Sequence, residues 1–276
     1  MWWIVSTVVV VGSVLTTACS SAADRSQSTT TVNALQKQYP PEIVLFGDSL
    51  AWEAQPYYDK LVEVTGQSIL GYGSFGGTAI CDWFDKMKAV AAKYAPAAVQ
   101  IEFSGNALSP CMQGYEAGTD AYYAKYRADT EAAIAIFVPT GAHVYLVGAP
   151  ITRHQQESDP AWNRLNEQYA AIAAADPTHV TYVDAGAAVE TPERTYTDTL
   201  PCVPVEPCEG PVVDRVASNI VRSPDGTHFC PVATGNEEGV INGCSVYSSG
   251  AFRFAYAMFN AVGVPNAPTA GRGLRS

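Results

Sequence analysis

Charge is scarce in this chain. Of its 276 residues, 16% are Asp, Glu, Lys or Arg, against about 25% in an average soluble domain. The formal net charge is −11, which argues against nucleic acid or an anionic membrane surface as the main partner. Histidine is scarcer still, with four copies, so chemistry that needs an imidazole has few candidates. The seven cysteines contain no C-x-x-C pair, and their spacings match no common zinc module. There is no internal repeat and no metal- or nucleotide-binding motif, so no cofactor is expected. The most apolar stretch, Met1 to Ala18, falls short of the roughly 20 residues that a bilayer span needs.

That stretch reads instead as an export signal, residues 1–19. It ends in Leu15-Thr16-Thr17-Ala18-Cys19 and resembles a bacterial lipoprotein signal, in which the cysteine is lipidated and begins the mature chain. Two features depart from that pattern: no Lys or Arg precedes Arg25, and Thr16 stands where leucine is usual. Ordinary cleavage near Ala22 or Ala23 is the rival reading. Residues 20–38 are rich in Ser, Thr and Gln and read as a disordered tether. The folded domain is expected over 39–265, with a flexible tail at 266–276.

Cysteine counting fits export to the cell envelope or beyond. With Cys19 set aside, six remain, an even number that implies disulfides with fifteen connectivities open. Nearness in sequence suggests Cys202–Cys208 and Cys230–Cys244, which leaves Cys81–Cys111. The competing reading is a zinc site using His228.

Within the domain, strand and helix patterns alternate. Strands are expected at Glu42–Phe46, Gln67–Leu70, Ala98–Phe103, His143–Val147 and Val180–Val183. Helices are expected at Ala51–Val64, Cys81–Lys93, Tyr122–Phe137 and Trp162–Ala174, with a last one at Ala251–Val262. Gly71 to Gly77 reads as a glycine-rich loop. Such alternation implies an α/β fold, a five-stranded parallel sheet inside a three-layer α/β/α sandwich. The site then lies at the carboxyl ends of the strands, which brings together the Ser49 turn, the Gly76 loop and the Asn106 loop. Residues 186–249 are loop-rich and carry four cysteines, so disulfides are expected to hold them as a cap or rim.

The stretch Ile43-Val44-Leu45-Phe46-Gly47-Asp48-Ser49-Leu50 organises the rest. A buried strand that runs through a tight turn into a helix exposes the Ser49 hydroxyl close to backbone N–H groups, the placement acyl transfer needs. The alternative is an ordinary serine helix cap. A nucleophilic serine needs a base, and the base needs an orienting carboxylate. His143 and His179 open strands, at the wrong end of the sheet; His154 follows a strand and could approach the site; His228 follows all five and has Asp225 three residues before it.

Gly47-Asp48-Ser49-Leu50, Gly76, Ser104-Gly105-Asn106 and Asp225-x-x-His228 occur in that order and together resemble the SGNH (GDSL) hydrolases. The resemblance spans nearly the whole domain and implies the flavodoxin-like SGNH fold. It implies Ser49 as nucleophile, His228 as base and then acid, and Asp225 as its orienting partner. The oxyanion donors it implies are the Ser49 N–H, the Gly76 N–H and the Asn106 side chain, with Gly77 the other candidate glycine. One departure is Ala107, where the family often has Asp; it puts a supporting hydrogen bond in doubt. The G-x-S-x-G turn of α/β-hydrolases is absent, since Ala51 holds the second glycine's place.

The function expected is an exported serine esterase acting on small-molecule, glycan or lipid esters, with membrane attachment through Cys19 and a monomeric state. Two alternatives stand beside it: an O-acyltransferase or deacetylase on cell-envelope polysaccharide, and a non-catalytic glycan-binding lipoprotein. Trp52, Tyr72, Phe75 and Trp83 flank the motif blocks and are read as core or as pocket lining.

Overall fold

A computed structural model describes residues 43–65, 69–158, 163–232 and 243–262, with 69–72 described by their backbone alone. The expected signal, the tether, Cys19, Gln67 and the 266–276 tail lie outside these residues, as do the outermost ends of the expected domain. All described residues fall in the compact unit that runs from Pro40 to Ser276.

In chain order the main elements are β1 (Ile43–Gly47), α1 (Ser49–Glu63), β2 (Ile69–Ser74), α2 (Phe84–Tyr94), β3 (Ala98–Glu102), α3 (Asp120–Phe137), β4 (His143–Val147), α4 (Arg153–Ser158), α5 (Arg164–Ala175) and β5 (Val180–Val183). Three short strands follow, β6 (Thr199–Pro201), β7 (Val212–Val213) and β8 (Val216–Ile220), and then α6 (Ser249–Ala261). The main sheet is fully parallel in the order β2-β1-β3-β4-β5.

A strand buried on both faces reads as a continuous apolar run, and all five residues of β1 are buried. Its side chains alternate across the sheet. Val44 and Phe46 enter a core built with α2, α3 and α5, whereas Ile43 and Leu45 enter a core built with α1 and α6. Val99, Ile101, Val144 and Leu146 join the first core, and Val147 and Val183 the second. The result is the expected three-layer α/β/α sandwich.

The structure moves several boundaries. The second strand runs to Ser74, so Gly71–Ser74 is strand and not loop. The reason is close packing: a Cβ on Gly73 would sit 2.3 Å from the Phe46 ring. The helix expected from Cys81 begins as a 3-10 turn, Ile80–Trp83, and becomes α-helical at Phe84. The 3-10 turn is tied to a second one, Pro110–Met112, by the Cys81–Cys111 disulfide. Thr119 caps α3, which therefore starts two residues early. The loop-rich run 186–249 contains a small antiparallel sheet in the order β6-β8-β7. The six cysteines form Cys81–Cys111, Cys202–Cys208 and Cys230–Cys244, the pairs that nearness suggested. Among the described residues, no helix is long and apolar enough to cross a membrane.

Candidate active site

Ser49 is the first residue of α1, at the carboxyl end of β1. The helix cap is Asp48, whose Oδ1 accepts the Leu50 N–H at 3.0 Å. The cap reading therefore falls to Asp48, and the Ser49 hydroxyl is available elsewhere. It lies 2.9 Å from His228 Nε2, although the two residues are 179 apart in sequence. His228 Nδ1 lies 2.7 Å from Asp225 Oδ2. Serine, imidazole and carboxylate thus form one continuous line of hydrogen bonds.

The loop bearing His228 is fixed from several sides. Asp225 Oδ1 accepts the backbone N–H groups of Thr227 and His228 at 2.8 and 3.0 Å. Partial burial raises the Asp225 pKa, but the His228 hydrogen bond and these two amides outweigh it and hold the carboxylate below its ordinary value. Gly226 takes a positive φ of 75°, which favours glycine at this tight corner. Arg222 is fully buried, and its Nη1 and Nη2 donate to the carbonyls of Thr227 and Ile151 at 3.2 and 2.9 Å. Burial away from any bonded carboxylate lowers its pKa to about 10.

Glu53 was not singled out by sequence, yet it joins the two halves of the site. It stands one helical turn after Ser49 on α1, and its Oε2 accepts the Phe229 N–H at 2.6 Å. Burial pushes its pKa up, opposed by the Phe229 amide and the neighbouring His228. The Cys230 and Cys244 sulfurs lie within 4.8 Å of a Glu53 oxygen. They are joined to each other, so these cysteines offer no thiolate and the zinc reading is set aside.

Of the residues expected to supply oxyanion donors, Gly76 lies beside Ser49 and Asn106 beside Asp48, the residue before it. A Cβ on Gly76 would lie 3.7 Å from the Ser49 Cβ, whereas one on Gly77 would meet nothing within 4 Å. Gly77 has φ +76°, so it makes the turn and Gly76 faces the serine. Asn106 Nδ2 donates to Asp48 Oδ2 at 2.9 Å and to the Thr78 carbonyl at 3.2 Å. The Tyr126 hydroxyl donates to the Asn106 carbonyl at 2.8 Å. Support for Asn106 thus comes from Asp48, Thr78 and Tyr126, which answers the doubt raised by Ala107.

The other histidines stand apart. His143 Nε2 meets Thr181 Oγ1 at 2.8 Å, His179 meets Asp176, and His154, exposed on α4, meets Ser158. Of the flanking aromatics, Trp83 packs edge-on against Phe46 and donates its indole N–H to Thr78, as a core residue would. Phe75 is 65% exposed beside Gly76. Trp52 is half-buried, and the Tyr72 side chain lies outside the described part. A cavity of about 140 Å³ opens next to Asn106, with Thr152, Gln155, Asn166 and Thr227 among its walls.

Residues 42–235 match the family described as "Protein of unknown function (DUF459)". Solved structures of similar shape include a GDSL-like lipase from Bacteroides thetaiotaomicron. It is 12% identical with a TM-score of 0.51, and the match covers 86% of this chain and 96% of that one. A catalytic mutant of an acetylxylan esterase from Geobacillus stearothermophilus is 15% identical with a TM-score of 0.50, covering 82% and 95%. No curated protein matches the sequence.

Proposed function

The chain belongs to the DUF459 family and has the SGNH (GDSL) hydrolase fold, and from that premise we propose that it is a serine esterase that works through an acyl-enzyme. The observation that carries this reading is the line Ser49 Oγ, His228 Nε2, Asp225, at 2.9 and 2.7 Å. In this reading Ser49 Oγ attacks the ester carbonyl carbon while His228 Nε2 takes its proton. The tetrahedral oxyanion is met by the Ser49 and Gly76 N–H groups and the Asn106 amide. His228 returns the proton to the departing alcohol, and water, activated by the same imidazole, releases the acid. Asp225 fixes the tautomer that leaves Nε2 free to accept.

A fluorophosphonate probe tests the reading. Labelling is expected on the peptide that holds Ser49; a folded protein that stays unlabelled would contradict it. Asn106→Ala is expected to lower kcat for p-nitrophenyl acetate by about 10²- to 10³-fold, the usual cost of one oxyanion donor. The thermal midpoint measured alongside separates that loss from unfolding.

One observation favours the deacetylase form of the second reading. The cavity beside Asn106, about 140 Å³, is similar in size to one that holds benzene, and its walls mix polar groups such as Gln155 and Asn166 with apolar ones such as Leu50 and Leu165. That suits a short acyl group better than a long chain. Faster release of acid from acetylated glycans than from long-chain esters is expected on this reading, and the reverse preference would contradict it. Three disulfides suit an oxidising compartment, which supports export, with Cys19 as the lipidation site.

A further inference from the structure

Behind the Ser49 turn lie two carboxyl groups that the triad does not use. Asp48 caps α1, and Glu102 ends β3, the neighbouring strand; both are fully buried. The Asp48 N–H donates to the Glu102 carbonyl at 3.2 Å, and the two side chains accept adjacent amides of one turn, Leu50 to Asp48 and Ala51 to Glu102, which places the carboxyls side by side. Among the described residues, no Lys, Arg or His bonds to either. Two carboxylates in contact, out of water and without a cation, cannot both be ionised.

We propose that this pair holds one proton, that the proton sits on Glu102, and that the resulting acid donates to the Asp48 anion and thereby positions the oxyanion donors. The distribution of hydrogen bonds assigns the proton. Asp48 accepts four: from the Leu50 N–H at 3.0 Å, the Ser104 N–H at 2.8 Å, the Ser104 hydroxyl at 2.6 Å and Asn106 Nδ2 at 2.9 Å. Three of these fall on Oδ2 and one on Oδ1, so Asp48 acts as an acceptor throughout, as an anion does, and Oδ1 keeps a place for one more donor. Glu102 accepts one such bond, from the Ala51 N–H to Oε2 at 3.1 Å, and its Oε1 is buried with no donor in reach. An ionised Glu102 would leave that oxygen unsatisfied, which is costly; a protonated one turns it into a donor.

Electrostatics points the same way. Burial raises both pKa values. The Ser104 hydroxyl and the Ser104 and Leu50 amides hold Asp48 back, whereas the Asp48 charge drives Glu102 well above its ordinary value. The other titratable groups that feel the pair are Tyr122 and Tyr126 on α3 and Tyr169 on α5, and burial keeps these phenols neutral. The carboxyl pair ties down the Leu50 and Ala51 N–H groups and the Asn106 amide, so the first turn of α1 and the Ser104-Gly105-Asn106 loop share one anchor. It also limits the charge behind the oxyanion site to one. Asp48 and Glu102 are positioning residues, since neither reaches the reacting atoms.

The kinetic consequence rests on the esterase reading; the protonation state does not. Glu102→Gln keeps a neutral donor towards Asp48 and an acceptor for Ala51, so kcat/KM is expected to fall less than tenfold. Asp48→Asn takes one acceptor oxygen from the Ser104 and Asn106 donors, and a loss of at least 10²-fold in kcat, with little change in KM, is expected. Infrared difference spectra near neutral pH are expected to contain a protonated-carboxyl C=O band that E102Q lacks. A spectrum in which E102Q removes no such band, or an E102Q loss as deep as that of D48N, would overturn the assignment. If E102Q does not fold, Glu53→Gln protein with ¹³C-labelled carboxyls decides: a shift with labelled glutamate supports the proposal, and a shift with labelled aspartate overturns it. A folded protein that shows the band but cleaves no ester would refute the esterase reading and leave the pair standing.

Discussion

Ser49→Ala is expected to lower kcat for p-nitrophenyl acetate by about 10⁴- to 10⁶-fold. The substitution removes the attacking oxygen and little else. The α1 cap is the Asp48 side chain, not the serine, and alanine suits the first turn of a helix. The hydrogen bond lost is the one to His228, which is partly open to water and finds a new partner there. Residual turnover above the uncatalysed rate would come from the oxyanion donors and from substrate binding. A kcat comparison with circular dichroism and a thermal midpoint for each protein checks this. Wild-type turnover in a folded S49A protein would contradict it.

The second large effect belongs to Asp225→Asn. The amide keeps an oxygen for the Thr227 and His228 N–H groups, so the loop holds its shape. Its NH₂ then faces His228 Nδ1, where Asp225 Oδ2 stood at 2.7 Å. A donor at that position favours the tautomer with hydrogen on Nε2, which cannot take the Ser49 proton. In a fully buried triad this costs about 10⁴ in kcat. The Asp225 side chain is 50% exposed, so water can stand in part way, and a fall of about 10²- to 10⁴-fold is expected. KM should hardly move. A loss below tenfold would mean that Asp225 does not set the tautomer.

The hydrogen-bonded line of Ser49, His228 and Asp225 was readable in sequence because motif and order carry it: a serine after a buried strand, and an imidazole after all five strands with an acid three residues before it. The choice between Gly76 and Gly77 was not, since two adjoining glycines are equivalent until a third residue picks a side. In the fold Gly76 is the one that lies beside Ser49. Gly73 misled for a related reason. Glycine reads as loop, but this one is a strand residue whose missing Cβ admits the Phe46 ring. The six residues of α4 are too few for a helical period to appear, and β6, β7 and β8 lie in a run whose prolines and glycines mask short strands.

The buried carboxyls were the larger omission. Glu102 ends a strand whose neighbours are apolar, and Glu53 lies four residues after Ser49; each was a visible anomaly without a visible partner. Their partners arrive from far away: Phe229 is 176 residues from Glu53, and Ala51 is 51 from Glu102. A charge inside a core states that something satisfies it, but only the closed fold says what.

The account depends on Ser49 and His228 acting as one unit, and a double-mutant cycle measures that directly. Kinetic constants for Ser49→Ala, His228→Ala and the double variant are expected to be nearly equal, because either loss already disables the pair. Losses that multiply, so that the double variant falls by the product of the single effects, would mean that the two side chains work independently.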